Sequence, residues 1–580
     1  MSIDHQNIQP SIIHNVVQTE QVFNSAPIEQ TVRWENWSGN NQFRPKAEDA
    51  LYYKSPRNFT ELKKIIVQAF KKGKKIRTSG QRHSVSPLII NNNSKQDKTP
   101  HGDFWVVDLS CYSDLNTDGM SNIILNKETN SVTVNAGVSE IELDNFLTKN
   151  GYRLKTATAG GFFSIGGMTA VDVHGSAVNQ SIFSDNVIAY TVVNDQGVKR
   201  TYDENSQKFE GYSPLQFFRT SLGTLGVVTS VTLQVKPRSS LASLVPSYKF
   251  YSIADEATFE KTYDSLLFSG KFDSVESFLN PYSSKHNFLT LRWEDKDSIT
   301  NHVADNENIT AHVKTTCHNA AVRKWGAPIL PYFSEKLAEM IGINTQNGES
   351  SYLGKIAVNT DMIAITGMMN KAIKDNSAMW LTKAERSIFM SYFIPLPKGN
   401  KQSIKQAWKA LQVLLNELNN SHDFVTVLPP EFRFVRGSDS LLAGNYSKDK
   451  EQLFISIEVL ALVKKGSPEG YPQNVKNYFS NIERQWVKMG GFPHNGKMYG
   501  FYDPDNKLNN TGLAPFNSKF IQKVWKGNRS ERVDVFARYQ NKIDPRGLFC
   551  NEYTQNALGI CKKINGNPPK INVVQNGVVE

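Results

Sequence analysis

Two stretches of this chain bring together residue types that could do chemistry. In Glu431-Phe432-Arg433 a carboxylate and a guanidinium stand two positions apart. Residues i and i+2 of a β-strand point to the same face, so the two groups would be presented side by side. A carboxylate there can draw a proton from a hydroxyl while the cation stabilises the negative charge that develops. The same spacing also describes a surface ion pair, which is worth little, and Glu-x-Arg recurs by chance. The second stretch is Arg77-Thr-Ser79-Gly80-Gln81-Arg82-His83-Ser84-Val-Ser-Pro87-Leu88. Gly80 has no side chain to hold a ligand off the backbone, and consecutive amides beside a cation and a hydroxyl form a cradle for a pyrophosphate. Taken alone, such a turn is equally a solvated one.

The elements that must position these residues follow from periodicity. Leu62, Ile65, Ile66, Ala69 and Phe70 lie at helical spacing, Gly73 ends that helix, and Lys75 to Arg77 reads as a strand edge leading into the Gly80 turn. Phe104 to Leu109 is an apolar strand with Asp108 near its end, Ser131 to Gly137 alternates as a second, and Glu140 to Lys149 reads as a helix stopped at Gly151. Thr158 to Ser176 then carries Gly160-Gly161 and Gly166-Gly167 around Phe-Phe-Ser164-Ile165, followed by an apolar helical turn and His174-Gly175. Each such glycine costs ~0.5–1 kcal/mol in ordering entropy, a cost tolerable where something approaches the backbone closely. This stretch therefore reads as the second wall of a cofactor groove. A third glycine cluster, in Thr220 to Val235 with Gly226 and Val228, runs into a long strand and fits the same groove. Gly-x-Gly-x-x-Gly is absent, which argues against a Rossmann dinucleotide site. Alternating short strands and helices predict an α+β fold.

A chain of 580 residues exceeds one hydrophobic core and implies two or three domains, with ordinary globular fractions of 39% hydrophobic and 21% charged residues. The net charge of +11 is dispersed, and its densest cluster, Lys71 to Lys75, sits at a helix end where cations suit the dipole. No basic face interleaved with stacking aromatics is visible, so no nucleic-acid partner is expected; contact with an anionic membrane surface stays open. Cys111, Cys317, Cys550 and Cys561 are scattered without metal-ligand spacing, which predicts no metal site, no disulfide framework, and reduced or buried thiols. The N-terminus lacks a basic start and an apolar core, and no transmembrane-length apolar run occurs. Location is left between the cytoplasm and non-classical export.

Arg77 to Leu88, Ser164 to Ser176 and Ser221 to Val235 together resemble the FAD-binding domain of the vanillyl-alcohol oxidase family, the PCMH-type domain. Within it the chain, from Trp34 to about Leu558, is most similar to the covalent-flavin (type II) cholesterol oxidases. The resemblance implies a two-part PCMH-type FAD-binding domain plus an α+β substrate-binding domain with a large antiparallel sheet. The corresponding boundaries are a tail over 1–30, the FAD domain over 31–240, the substrate domain over 241–495, a return to the FAD domain over 496–562 and a tail over 563–580. It implies FAD bonded to His83 through the flavin 8α-methyl carbon. The cofactor residues it implies are Ser79, Gly80, Gln81, Arg82, Ser84 and Pro87, then Gly160, Ser164, Ile165, Gly166, Gly167, His174 and Gly175, then Gly226, Val228 and, in the closing motif, Asn551.

Glu431 and Arg433 carry over as the active-site pair. Glu458 stands where the related cholesterol oxidases have an asparagine, and Lys497, in Pro493-His494-Asn495-Gly496-Lys497, is the lysine near the flavin. Many sugar and aldonolactone oxidases have a glutamate before the tyrosine of Ser391-Tyr392, which is absent here. The leading expectation is an oxidase that passes hydride from a secondary alcohol, a sterol 3β-hydroxyl, to FAD and on to O2, with isomerisation of the double bond as an accompaniment. Met340, Met362, Met368, Met369, Met379 and Met390 suggest either an apolar pocket or ordinary core. The alternatives are a polyol, sugar or aldonolactone oxidase, a flavin dehydrogenase with another acceptor, and a non-catalytic flavoprotein. An apolar Met-lined cavity would favour sterol, and a polar cluster would favour sugar.

Overall fold

In the computed structural model of this protein the described residues are 34–43, 52–90, 104–115, 121–297, 308–311, 350–382, 384, 387–421, 424–462, 471–506 and 511–560. The expected terminal tails, Met340, Cys317 and Cys561 lie outside them. Three sheets organise the rest. Phe104–Asp108 runs parallel between Tyr53–Lys54 and Lys75–Ser79. The helix Phe59–Lys71 covers this small sheet with Leu62, Ile65, Ile66 and Ala69, and its Asn58 side chain accepts the Glu61 N–H at 3.0 Å. Lys75–Ser79 delivers the chain straight into the Gly80 turn.

The second sheet is antiparallel, in the order Lys199–Asp203, Val187–Val193, Val227–Pro237, Ser131–Asn135, Ile123–Asn126 and Asn308–Ala311, with Tyr152–Leu154 also paired to Val227–Pro237. The edge strand Asn308–Ala311 comes back from far along the chain. Glu140–Lys149 is a helix with a full capping box, Ser139 to Glu142, and the helical turn expected after the two glycine pairs begins earlier, at Ile165–Thr169, and takes in Gly166-Gly167.

The third sheet has seven antiparallel strands in the order Leu244–Tyr251, Phe288–Asp295, Ser274–Leu279, Glu431–Arg436, Leu453–Ala461, Ile388–Pro395 and Phe492–Pro493. The helices Glu256–Phe268, Asn400–Asn420 and Gln473–Lys488 pack together on one face. The other face looks towards the glycine loops, so Ile388–Pro395 is buried on both sides and reads as a nearly continuous apolar run. The long helix Ser350–Asp375 crosses this sheet's far end and buries Val358, Met362, Ile365, Met369 and Ala372 against Phe278, Trp293 and Trp380. Most of the methionines thus serve the core: Met362, Met369 and Met390 are buried there, and Met368 alone of the six lines a cavity among the described residues.

The end of the chain returns to the first sheet. Arg77, fully buried, donates from Nε to Leu88 O at 2.7 Å, from Nη1 to Gly223 O at 3.0 Å and to Phe549 O, and from Nη2 to Leu222 O at 2.6 Å. Burial lowers its pKa to about 9, so the guanidinium stays charged at neutral pH. Ile76 N bonds Leu548 O at 2.8 Å beside it. Cys111 and Cys550 are disulfide-bonded, and no free cysteine occurs among the described residues. This corrects the expectation of reduced, unframed thiols. Spacing along the chain does not report distance in a fold that brings residue 549 against residue 77.

Arg77→Met would take a donor from four carbonyls, of which Leu88 O keeps a second one in Asn551 Nδ2, at a cost of at least ~3 kcal/mol. The expected result is a lower unfolding midpoint in urea and early proteolytic release of the C-terminal segment, while a surface change such as Lys71→Met moves neither.

Candidate active site

The register of the large sheet builds the site. Phe278, Glu431, Glu458 and Ser391 are successive partners across four strands, and two residues along, Glu276, Arg433, Ser456 and Phe393 form a second rung. Residues of these rungs therefore share one face. That face is one wall of a cavity of about 520 Å³, lined by Glu431, Arg433, Glu458, Ser391 and Ser456, with Glu276 buried beneath. Glu431 and Arg433 stand side by side, as their spacing on a strand predicts, and lie in ion-pair contact. Arg433 Nη2 also reaches Glu276 Oε1 at 3.0 Å, and Nη1 donates to His174 O at 3.4 Å. Trp380 Nε1 donates to Glu276 Oε2 at 3.2 Å. His174 Nε2 and Ser456 Oγ are hydrogen-bonded at 3.0 Å.

Glu458 stands directly opposite Glu431, and like charges in that position repel. Lys497 Nζ answers Glu458 Oε2 at 3.0 Å while lying 3.7 Å over the Phe389 ring. The loop that carries Lys497 is held from several sides. Asp172, at the end of the second glycine loop, accepts Asn495 N–H at 2.6 Å and Gly444 N–H at 3.0 Å. Glu483 accepts Gly500 and Phe501 N–H, each at 2.6 Å, together with the Tyr392 hydroxyl. Ser86 Oγ donates to Asn495 O at 2.7 Å, and Val85 N bonds Gly496 O at 2.9 Å, which ties the loop to the His83 turn.

Burial pushes the Glu431 carboxyl up to about 8 against the pull of Arg433, with Glu276 and Glu458 adding to the rise. Glu276 is also raised, first by burial. Three carboxylates thus face two cations, and the cluster holds a proton well above the ordinary carboxylate range. Burial has the opposite effect on the imidazoles: His83 and His174 are each lowered to about 3, and His494 falls well below its usual value. All three rings are neutral at physiological pH.

The glycine loops form the other walls. His83 sits among Trp37, Phe163 and Phe389, with ring centroids at 4.9, 4.8 and 5.6 Å. Gln81, Arg82, Ser84, Gly160 and His174 line the large cavity, as do Gly80, Ser164 and Gly167, which also border a smaller one of about 60 Å³. Ser79, Gly166, Gly226 and Val228 line that smaller cavity. A Cβ at Gly80 would stand 2.1 Å from Ser164 Oγ, and one at Gly137 would stand 1.9 Å from Leu109 O, so the walls meet on bare backbone. Arg82 takes φ 61°, bonds the Tyr53 hydroxyl at 2.9 Å and leaves its buried Nε without a hydrogen-bond partner among the described residues. A donor left over beside a glycine cradle suits the pyrophosphate of FAD.

Four expected cofactor residues line neither cavity. Ile165 points into the core, Gly175 packs on the Ala157 carbonyl, and Asn551 caps the helix Glu552–Leu558 while donating to Pro87 O at 2.8 Å. The sequence reading missed Trp37, Asp172, Glu276, Phe389 and Ser456. Glu276 alone carried a signal, a single carboxylate inside the otherwise uncharged strand Ser274–Leu279.

The profile described as FAD binding domain matches residues 50–202, and that of D-arabinono-1,4-lactone oxidase matches residues 244–557. The L-gulono-1,4-lactone dehydrogenase of Mycobacterium tuberculosis is 22% identical over 91% of this chain and 99% of that protein. The L-gulonolactone oxidase of Mus musculus is 23% identical over 90% of this chain and 98% of that protein. Among solved structures, cholesterol oxidase from Brevibacterium sterolicum superposes with a TM-score of 0.62 at 17% identity, covering 92% of this chain and 97% of that one. At that identity the likeness speaks of the fold.

With a folded-state value near 8 against the ordinary carboxylate value, Glu431 binds its proton in the folded chain over an interval where the unfolded chain has released it. Stability therefore falls as pH rises through that interval and levels off above it. The expected outcome is a thermal midpoint that declines between the ordinary carboxylate range and about 8, with a shallower decline in Glu431→Gln.

Proposed function

The chain belongs to the D-arabinono-1,4-lactone oxidase family, and from that premise we propose that it oxidises a CH–OH group of an aldono-1,4-lactone, with O2 as electron acceptor and hydrogen peroxide as the second product. The observation that carries this reading is the cluster of Glu431, Arg433, Glu458, Lys497, Ser391 and Ser456 on one face of the cavity. So many hydrogen-bonding groups at the reacting end suit a ring bearing several hydroxyls. The glutamate absent at position 391 has a counterpart on the same rung, because Glu458 is the direct partner of Ser391. The sterol 3β-hydroxyl expected from the sequence becomes the weaker reading. What supports it beyond those motifs is a likeness of fold, while relatives spanning nine-tenths of the chain are named for gulonolactone.

The chemistry assigns each side chain a task. Glu431 takes the proton of the hydroxyl being oxidised, and burial places its basicity close to the working pH. Arg433, braced by Glu276 and the His174 carbonyl, keeps the Glu431 carboxylate aimed and stabilises negative charge on the substrate oxygen. Glu458 and Lys497, paired at 3.0 Å, hold a neighbouring hydroxyl and the lactone oxygens as acceptor and donor. Bound FAD supplies the hydride acceptor. His83, neutral and with no hydrogen bond to either ring nitrogen among the described residues, offers a free nitrogen for the covalent link to the 8α-methyl group.

The test is anaerobic bleaching of the yellow protein, and peroxide release in air, with D-arabinono-1,4-lactone, L-gulono-1,4-lactone, xylitol and detergent-dispersed cholesterol. Bleaching and peroxide with a lactone are expected, and turnover of cholesterol alone would overturn the proposal. Bleaching with a lactone and reoxidation only by a dye would replace the oxidase reading by a dehydrogenase one. kcat/KM should rise with pH to a plateau above about 8, and Glu431→Gln should lose about 10²–10⁴-fold. Acid-precipitated wild-type protein should keep its flavin fluorescence, and His83→Ala should lose it.

A further inference from the structure

The large cavity has two walls of opposite character. The sheet wall carries the charged cluster. The neighbouring wall is built by Ile365, Met368, Trp380 and Leu428, from the helix Ser350–Asp375 and the segments beside it, and it meets the sheet at Phe278, the direct partner of Glu431. Polar groups on that wall are engaged among the described residues: Trp380 Nε1 donates to Glu276, and the Trp380 and Leu381 amides donate to Ala159 O at 2.8 and 2.9 Å. Asp361, half-buried and already interacting, is its one carboxylate among the described residues. Gly160, which the cofactor reading uses, adjoins this wall through Ala159.

The wall also leads outwards. Ala364 both lines the cavity and is exposed, so the helix Ser350–Asp375 forms part of the rim. The cavity therefore reaches the surface at Ala364. A compound with hydroxyls all round would bury several of them against this wall without partners, whereas methylenes there gain contact and leave water.

We propose that the substrate is amphiphilic: a polyhydroxylated lactone head oxidised between Glu431 and Glu458, bearing at its far end an alkyl or aryl group that lies along the helix Ser350–Asp375. The proposal rests on the lactone reading of the same site and adds the group that lies against the apolar wall of the cavity. It also accounts for an interior that is charged on one wall and greasy on the next.

The experiment compares D-arabinono-1,4-lactone with its 5-O-methyl, 5-O-butyl and 5-O-hexyl ethers, using the full-length FAD-loaded protein below the aggregation concentration of each ether. The expected result is a rise in kcat/KM with chain length, carried by KM, approaching about fourfold per methylene, the equivalent of ~0.8 kcal/mol. Ala364→Asp, at the exposed rim, should flatten that slope. Turnover of the parent lactone with a flat or falling slope would overturn the amphiphile proposal and leave the lactone reading standing. Failure of every lactone, alkylated or not, would remove the reading beneath it instead.

Discussion

Two carboxylates, Glu431 and Glu458, face each other across one rung of an antiparallel sheet, and most of the site exists to make that arrangement tolerable. Direct cross-strand repulsion is offset by a guanidinium on one side and an ammonium on the other. Arg433 comes from the same strand as Glu431, so its position follows from the fold of the sheet. Lys497 does not, and its loop has to be fixed from outside. Asp172 from a glycine loop, Glu483 from a helix on the opposite face and Ser86 beside the His83 turn all contribute. The requirement for a cation at Glu458 thus binds the sheet to the cofactor half.

The same dependence explains what could be read from the sequence. The helix over Leu62 to Phe70, the strand ending at the Gly80 turn, the glycine loop before His174 and the shared face of Glu431 and Arg433 are local properties, written in spacing and glycine placement. Pairing register is not local. Nothing in the residues around Glu458 says that Glu431 is its partner, or that Glu276 supports Arg433 from the neighbouring strand. Nor does spacing say that Cys111 and Cys550 are disulfide-bonded, or that Met362, Met369 and Met390 fill the core in place of a pocket. Nor does it say that Asn551 caps a helix and braces the carbonyls of Pro87 and Leu88.

Resemblance carried the fold further than the substrate. The cofactor cradle depends on backbone approach, and glycine positions keep that property over great divergence. Substrate choice depends on a handful of side chains around a shared frame, here Ser391, Ser456 and Glu458 together with Phe278, Met368 and Trp380. The structure places both groups in one cavity.

The Arg77 guanidinium holds carbonyls from residues 88, 222 and 223, and from residue 549, which lies 472 positions along the chain. A nascent chain leaving the ribosome cannot complete this contact until residue 549 has been translated. The strand that opens into the Gly80 turn is therefore finished late, and the flavin's seat is assembled long after its own residues have emerged. A truncation that removes Phe549 would be felt first as a defect in cofactor loading, at a strand encoded 472 positions earlier.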